Sequence, residues 1–300
     1  MTHLIQQLIN GLTLGAVYAL VALGYTMVYG ILELINFAHG EIYMLGAYLG
    51  IIYTGLFMAL GWTESHLVLS LFGVFVLSAA TCAGYGVTME RMAYRPLRSG
   101  HRLAPLISAI GVSIFLQNFV MLTQGSAYIV FPHILPAPSI AEGDIPMSGI
   151  QFFIIVASIL LMGGLYLFVA KTPLGKAMRA TAQDRVMASL CGIPVDHVIV
   201  ATFVIGSVLA GAAGVMVTMY DGVAHFSIGY VAGIKAFTAA VLGGIGSIPG
   251  AMVGGILLGL TESLGSAYIS SAFKDGFAFL ILILVLLFRP TGLLGEKVAR

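Results

Sequence analysis

Charge is scarce in this sequence: Asp, Glu, Lys and Arg together make up 8% of its 300 residues, against about 25% in an average soluble domain. Apolar residues make up 59%, and mean hydropathy is +1.04. No water-facing surface of ordinary polarity can be built from such a composition, so the apolar excess must face lipid. Cysteine is nearly absent. Cys82 lies inside an apolar segment and Cys191 in a polar loop, which excludes a disulfide framework, a metal site and a redox pair. Net charge is only +1 and no basic tail or stripe exists, so nucleic acid is not a partner. A phosphate-binding loop is missing too. Gly243–Gly250 lacks the lysine that such a loop needs, and Gly175-Lys176-Ala177 lacks both the hydroxyl residue and the upstream glycine. The chain therefore binds no ATP in the usual manner, and with no catalytic constellation it reads as a non-enzyme. Met1–Gln7 lacks the basic start of a secretory signal, so the first apolar stretch reads as a retained span.

What the chain has in quantity is hydrophobic length. In hydrocarbon, backbone polar groups must be paired internally, which leaves helices or a closed barrel. Runs such as Phe152–Val169 and Phe277–Phe288 lack the period-2 alternation of barrel strands, so they are helices. Crossing roughly 30 Å of hydrocarbon takes about 20 residues. Reading along the chain gives apolar segments near 8–30, 41–60, 67–89, 103–124, 150–170, 198–219, 234–268 and 276–288. The seventh is too long for one span and is interrupted by Gly243–Gly250, so it reads as two half-helices or two short spans. The expected fold is therefore an all-α polytopic membrane protein, one domain over 1–300, with eight or nine transmembrane helices, some broken by Gly or Pro.

Lys and Arg are concentrated, and cytoplasmic loops carry them in excess. Arg91, Arg95, Arg98 and Arg102 crowd one loop; Lys171, Lys176, Arg179 and Arg185 another; Arg289, Lys297 and Arg300 mark the C-terminus. The loop at 125–148 has only Glu142 and Asp144. The two basic loops and the C-terminus are expected in the cytoplasm, with 125–148 and the N-terminus outside. Glycine recurs at four-residue spacing, as Gly11/Gly15, Gly46/Gly50, Gly250/Gly254 and Gly255/Gly259. Small residues one turn apart let helix backbones approach closely, either within one subunit or between subunits.

Two polar, glycine-bearing interruptions fall one in each half: Leu34–Glu41, and Gly243–Gly250 preceded by Lys235. Broken hydrophobic segments in both halves of a transporter point to its substrate path. Asn36 is a natural N-cap for a helix starting near Phe37. His39 and Glu41 sit either at a wetted helix end or inside the membrane, where an ionisable group is functional. Gln117, Asn118 and Glu262 are further intramembrane polar residues, either interhelical hydrogen-bonding groups or path residues. A zwitterionic substrate needs an acceptor for its ammonium, which Glu41 or Glu262 can supply.

The basic loop at 171–197 carries clear punctuation. Thr172 and Pro173 start a short helical unit; Gly192 and Pro194 stop it. It is either a solvated connecting helix or a docking element for a peripheral partner. Its segment Ala180–Ile193 resembles the coupling loop of ABC-importer permeases, where Glu-Ala-Ala is followed at a fixed distance by Gly. The acidic residue before the pair is absent here, so Ala182, Asp184, Ala188 and Gly192 form a variant of the pattern.

The whole chain, from Gly11-Leu-Thr-Leu-Gly15 to Pro290-Thr-Gly292, resembles the LivH-type permeases of high-affinity branched-chain amino-acid importers. The supporting stretches are Tyr25–Gly30, Ile35–Glu41, Glu90–Pro96 and Lys235–Ala251. The resemblance implies a bacterial inner-membrane subunit paired with a second permease. It further implies two cytoplasmic ATPase subunits that use the ATP, a periplasmic substrate-binding protein, no cofactor held by this chain, and a leucine, isoleucine or valine substrate. Permeases for urea, short amides or sugars share the architecture. A secondary carrier and a passive channel are the remaining rivals.

Overall fold

The computed structural model describes residues 2–98, 100–101, 103–132 and 147–295. Arg102, Glu142, Asp144, Lys297 and Arg300 lie outside the described residues. Twelve α-helices follow in order: α1 Thr2–Leu32, α2 His39–Ala59, α3 Trp62–Ser65, α4 Leu67–Met89, α5 Ala104–Gln124, α6 Gly149–Lys171, α7 Pro173–Gln183, α8 Arg185–Leu190, α9 Val195–Asp221, α10 Ile228–Gly243, α11 Ile248–Tyr268 and α12 Lys274–Phe288. Apart from a two-residue ladder, Ile129–Val130 with Val223–Ala224, the described residues contain no paired strands. Eight helical stretches are long and apolar enough to cross a membrane, and α10 is a shorter apolar helix. The all-α polytopic architecture expected from the composition is the one observed.

The long seventh stretch is two helices, as its interruption by Gly243–Gly250 led one to expect. Two boundaries differ from the expectation, and the first is that α10 begins at Ile228 rather than near 234. Gly244 turns the chain with φ +108°, and Ser247 accepts from the Gly250 N–H at 3.2 Å, with Pro249 in the first turn of α11. The Gly/Pro interruption is thus a tight helical hairpin. The arginine-rich segment after α4 is helical, not a loop: a π-turn, Glu90–Tyr94, and a 3-10 turn, Arg95–Leu97, prolong α4.

α1 and α9 form the centre; most of their length is buried, whereas α4, α5, α6 and α12 present mainly exposed apolar side chains. Glycine sets the central packing. Side chains at Gly11 and Gly15 of α1 would strike the backbone of Leu260 and Ile256 of α11, and Gly255 stands against Ala19. Gly46 of α2 stands against Gly211 of α9, and Gly254 of α11 against Ala239 and Gly243 of α10. The small-residue pairs therefore pack within the subunit.

One end of the bundle gathers the end of α1, the start of α5, the α6–α7–α8 unit and the α10–α11 turn. Leu293 and Leu294 pair there with the last carbonyls of α10. At the opposite end, Gln7 meets Ser263, His3 meets Tyr268, and Asn10 meets Gln151.

Candidate functional site

Two helices begin inside the bundle rather than at its ends. The His39 ring lies against Gly24 of α1 and Gly206 of α9. Gly24 precedes the end of α1 by eight residues, so α2 starts roughly 12 Å in from that end. α2 and α9 run side by side in the same direction, with Gly46 at Gly211 and Gly50 at Val215. Gly229 of α10 meets Gly40, Glu41 and Met44, which places the start of α10 on the order of 20 Å inward from the Asp221 end of α9. The two helix starts face each other: a Cβ on Gly229 would lie 2.7 Å from the Gly40 carbonyl oxygen and 2.5 Å from Glu41 Oε2. Only glycines permit that approach.

The break before α2 does not use Asn36 as a cap. Helix α2 starts at His39, with Ala38 in the cap position and no side-chain capping bond. Asn36 is buried and its Oδ1 accepts from the Tyr94 hydroxyl at 2.6 Å. Three residues later in the chain, His39 stacks edge-on against Tyr25, with centroids 4.9 Å apart. Among the described residues its Nε2 has no partner, and neither do Asn36 Nδ2 and Glu41 Oε2. Glu41 is fully buried, and its Oε1 accepts from Ser113 at 2.9 Å and Gln117 at 2.7 Å. Ser113 and Gln117 stand one turn apart on α5, hence on one face. Asn118, a residue further round, is exposed and donates to its own helix at Ile114. His39 and Glu41, two residues apart on α2, point to different neighbours: His39 to α1 and α9, Glu41 to α5 and α10.

Glu262 belongs to a separate cluster. Its Oε1 lies 2.9 Å from Lys235 Nζ and 3.5 Å from Lys274 Nζ, and accepts from the Tyr18 hydroxyl at 3.2 Å. Lys235 also reaches Asp275 at 2.6 Å. These contacts tie α1, α10, α11 and α12 together.

At the other end, Thr172 accepts from Gly175 N–H at 3.1 Å and starts α7. Asp184 accepts from the Val186 and Met187 N–H groups at 2.8 and 3.0 Å, so the expected single unit is two helices hinged at Asp184. Ala182 lies in the last turn of α7 beside that hinge. Ala188 is buried, while Val186, Met187 and Leu190 are exposed. Gly192 takes φ +82°, which closes α8 as a glycine stop does. A cavity of about 490 Å³ lies beside this unit, lined by Glu33, Leu97, Arg98, His101, Asp184 and Arg185 among others.

The family described as "Branched-chain amino acid transport system / permease component" matches residues 7–286. The chain belongs to this permease family. It is 52% identical over 299 residues to the high-affinity branched-chain amino acid transport system permease protein BraD of Pseudomonas aeruginosa, covering 98% of this chain and 96% of that protein. Against the corresponding LivH of Escherichia coli the identity is 48% over 298 residues, again 98% and 96% of the two chains. A probable LivH of Methanocaldococcus jannaschii is 28% identical, over 92% of this chain and 88% of that one.

For a permease, the informative groups that sequence reasoning passed over are Ser113, Tyr94 and the cluster around Glu90. Glu90 is fully buried at the π-turn and pairs with Arg98; Arg98 also donates to Asp196 at 2.8 Å, and Arg95 lies 3.2 Å from the same carboxylate. Burial lowers the Arg98 guanidinium from its usual value, and Asp196 opposes that shift. Asp196 stands in the first turn of α9, just after the Gly192 stop, so this cluster links the start of α9 to the turns that prolong α4. Ser113 was legible as the residue one turn before Gln117. Glu90 was legible as the acid at the head of an arginine-rich segment.

Proposed function

We propose that this permease forms, with a second permease, the path by which leucine, isoleucine and valine cross a bacterial inner membrane. Two cytoplasmic ATPase subunits supply the energy, and a periplasmic binding protein delivers the substrate. Full-length membership of the branched-chain amino acid permease family carries this reading. The end that holds α7, α8 and the basic residues 171–185 is the cytoplasmic one, in keeping with the excess of Lys and Arg in cytoplasmic loops. The C-terminus lies on that side as well. Ala182, Asp184 and Gly192 form the contact with an ATPase, buried Ala188 seats α8 beneath it, and the exposed Val186, Met187 and Leu190 are the apolar part of that surface.

The path runs past the facing starts of α2 and α10. Irregular backbone at membrane depth is tolerated only where it is buried in protein or lines a cavity, and paired broken helices mark substrate sites in transporters. Transport then requires two states whose affinities for substrate differ, because equally tight binding in both shifts nothing. ATPase closure against the α7–α8 unit is the event that moves α9 and α4 through Asp196, Arg98 and Glu90.

The test is co-expression of the permease pair with its neighbouring-gene ATPases, reconstitution in proteoliposomes, and addition of the binding protein. ATP-dependent accumulation of radiolabelled leucine is expected. Leucine accumulation by this chain alone under an ion gradient, or urea flux by it without ATP, would overturn the proposal in favour of a carrier or a channel.

A further inference from the structure

Among the described residues three glutamates are fully buried: Glu41, Glu90 and Glu262. Two of them have cations at hand. Glu90 pairs with Arg98, and Glu262 with Lys235 and Lys274. Glu41 has none; its Oε1 is held by two neutral donors and its Oε2 by nothing. An unpaired carboxylate inside a membrane protein is costly, and such a group persists where a partner arrives to compensate it.

The unpartnered oxygen is aimed at a particular place, the first turn of α10 at Gly229. That helix is 16 residues long, begins deep in the bundle and has no side-chain capping bond at Ser227. Its first N–H groups and the positive end of its dipole therefore favour an anion. An acceptor for a cation and donors for an anion thus stand within a few ångströms of each other. An α-amino acid carries its two charges on a single carbon, so its binding groups must be this close together. Met44, Leu116 and Ile228 surround the same place with apolar side chains, which suits a branched aliphatic chain.

We infer that Glu41 accepts the α-ammonium of the transported amino acid, held in aim by Ser113 and Gln117, and that the first turn of α10 takes its α-carboxylate. The inference rests on the reading that this permease carries amino acids. It also assigns the two candidate acceptors different duties, since Glu262 is neutralised by lysines while Glu41 waits for its cation. In the present conformation the first turn of α10 covers Oε2. The covering backbone contact is Gly229 against Gly40, with Met44 and Ile228 packed beside it, so access to Oε2 requires the start of α10 to part from α2.

The complete transporter in proteoliposomes tests this with Glu41→Gln, which keeps the shape and the hydrogen bonds from α5 but removes the charge. Leucine uptake should fall roughly tenfold or more, the loss expected of one charge-assisted hydrogen bond. The variant complex should assemble and elute on size exclusion as wild type does, which separates loss of the charge from a general structural defect. Uptake by Glu41→Gln within about twofold of wild type would overturn the role of Glu41 and leave the proposed function standing. No leucine uptake by the wild-type complex would instead overturn the proposed function itself.

A second measurement needs no variant. Wild-type complex is treated with a hydrophobic carbodiimide, and labelling of Glu41 is read by peptide mass spectrometry with leucine, 4-methylpentanoate or neither. Leucine should protect Glu41, and 4-methylpentanoate, which lacks the ammonium, should not. Equal labelling in all three arms overturns the inference, and so does equal protection by the two compounds.

Discussion

Replacing Lys235 by methionine removes the cation at the centre of the Glu262 cluster while keeping the length and apolar stem of the side chain. Lys235 is almost fully buried, 2.9 Å from Glu262 Oε1 and 2.6 Å from Asp275 Oδ1. Removing one member of a buried pair costs about 3–5 kcal/mol, because the other charge is left uncompensated. Two features lower that figure here. Lys274 stays 3.5 Å from the same glutamate oxygen, and Tyr18 still donates to it at 3.2 Å. Asp275, more than half exposed, can return to water. The expected loss is therefore about 2–3 kcal/mol. For a chain of this length about 1 kcal/mol corresponds to roughly 2 °C, so the variant should lose its fold some 4–6 °C below wild type. The assay heats purified complex in mild detergent and measures the intact fraction by size exclusion. Adding Glu262→Gln to Lys235→Met removes the stranded charge and should restore at least about half of the loss. A double variant that melts as low as the single one, or a single variant indistinguishable from wild type, would refute the compensation argument.

Three further outcomes follow from the packing and the loop geometry. Gly259→Leu drives a side chain into the backbone of Gly11 and Gly15, where α1 cannot yield, so it should cost about 3 kcal/mol or more and show as loss of monodisperse protein on purification. Tyr94→Phe removes the donor to buried Asn36 Oδ1 and should cost about 1–3 kcal/mol, read as a lower melting temperature of the purified complex; an unchanged melt would mean that the bond at the break before α2 contributes nothing. Gly192→Leu has open space around it but must adopt φ +82°, a local cost of about 1–2 kcal/mol at the end of α8. Its yield should stay near wild type while ATPase co-purification or transport is lost, and normal transport would remove the docking role from this turn.

The membrane-spanning elements were legible because hydrophobic length is a local property, written in consecutive residues. Where the segments begin and end was less so. Asn36 has the chemistry of a cap, but the chain places Ala38 there and spends Asn36 on Tyr94, a residue far away in sequence. No local rule can register a partner that arrives from another helix. The sequence places the start of the seventh segment near 234, six residues after α10 begins, because Ser227, Gly229 and Gly233 dilute the apolar run. Those glycines are in the helix because its first turns lie against Gly40 and Glu41, where any side chain would intrude. The same feature that weakened the helical signal is the one that lets α10 start at depth.

The candidate polar residues were legible as a set, yet their grouping depended on helical phase and on neighbours from other elements. Gln117 and Asn118 are adjacent in sequence, and about 100° of rotation separates them. One completes the cradle of Glu41 and the other bonds its own backbone on the exposed face. Glu41 and Glu262 were equivalent acceptors on paper, each an acid in an apolar run. Their surroundings make them opposites. Lys235, itself conspicuous in the second interruption, turned out to serve Glu262 and to leave the start of α10 free of cations. A lysine at that start would have filled the place beside Glu41 permanently and left no call for a charged ligand there. The argument for a zwitterion at the α2–α10 junction therefore depends as much on where the lysine side chain goes as on the glutamate that it leaves unpaired.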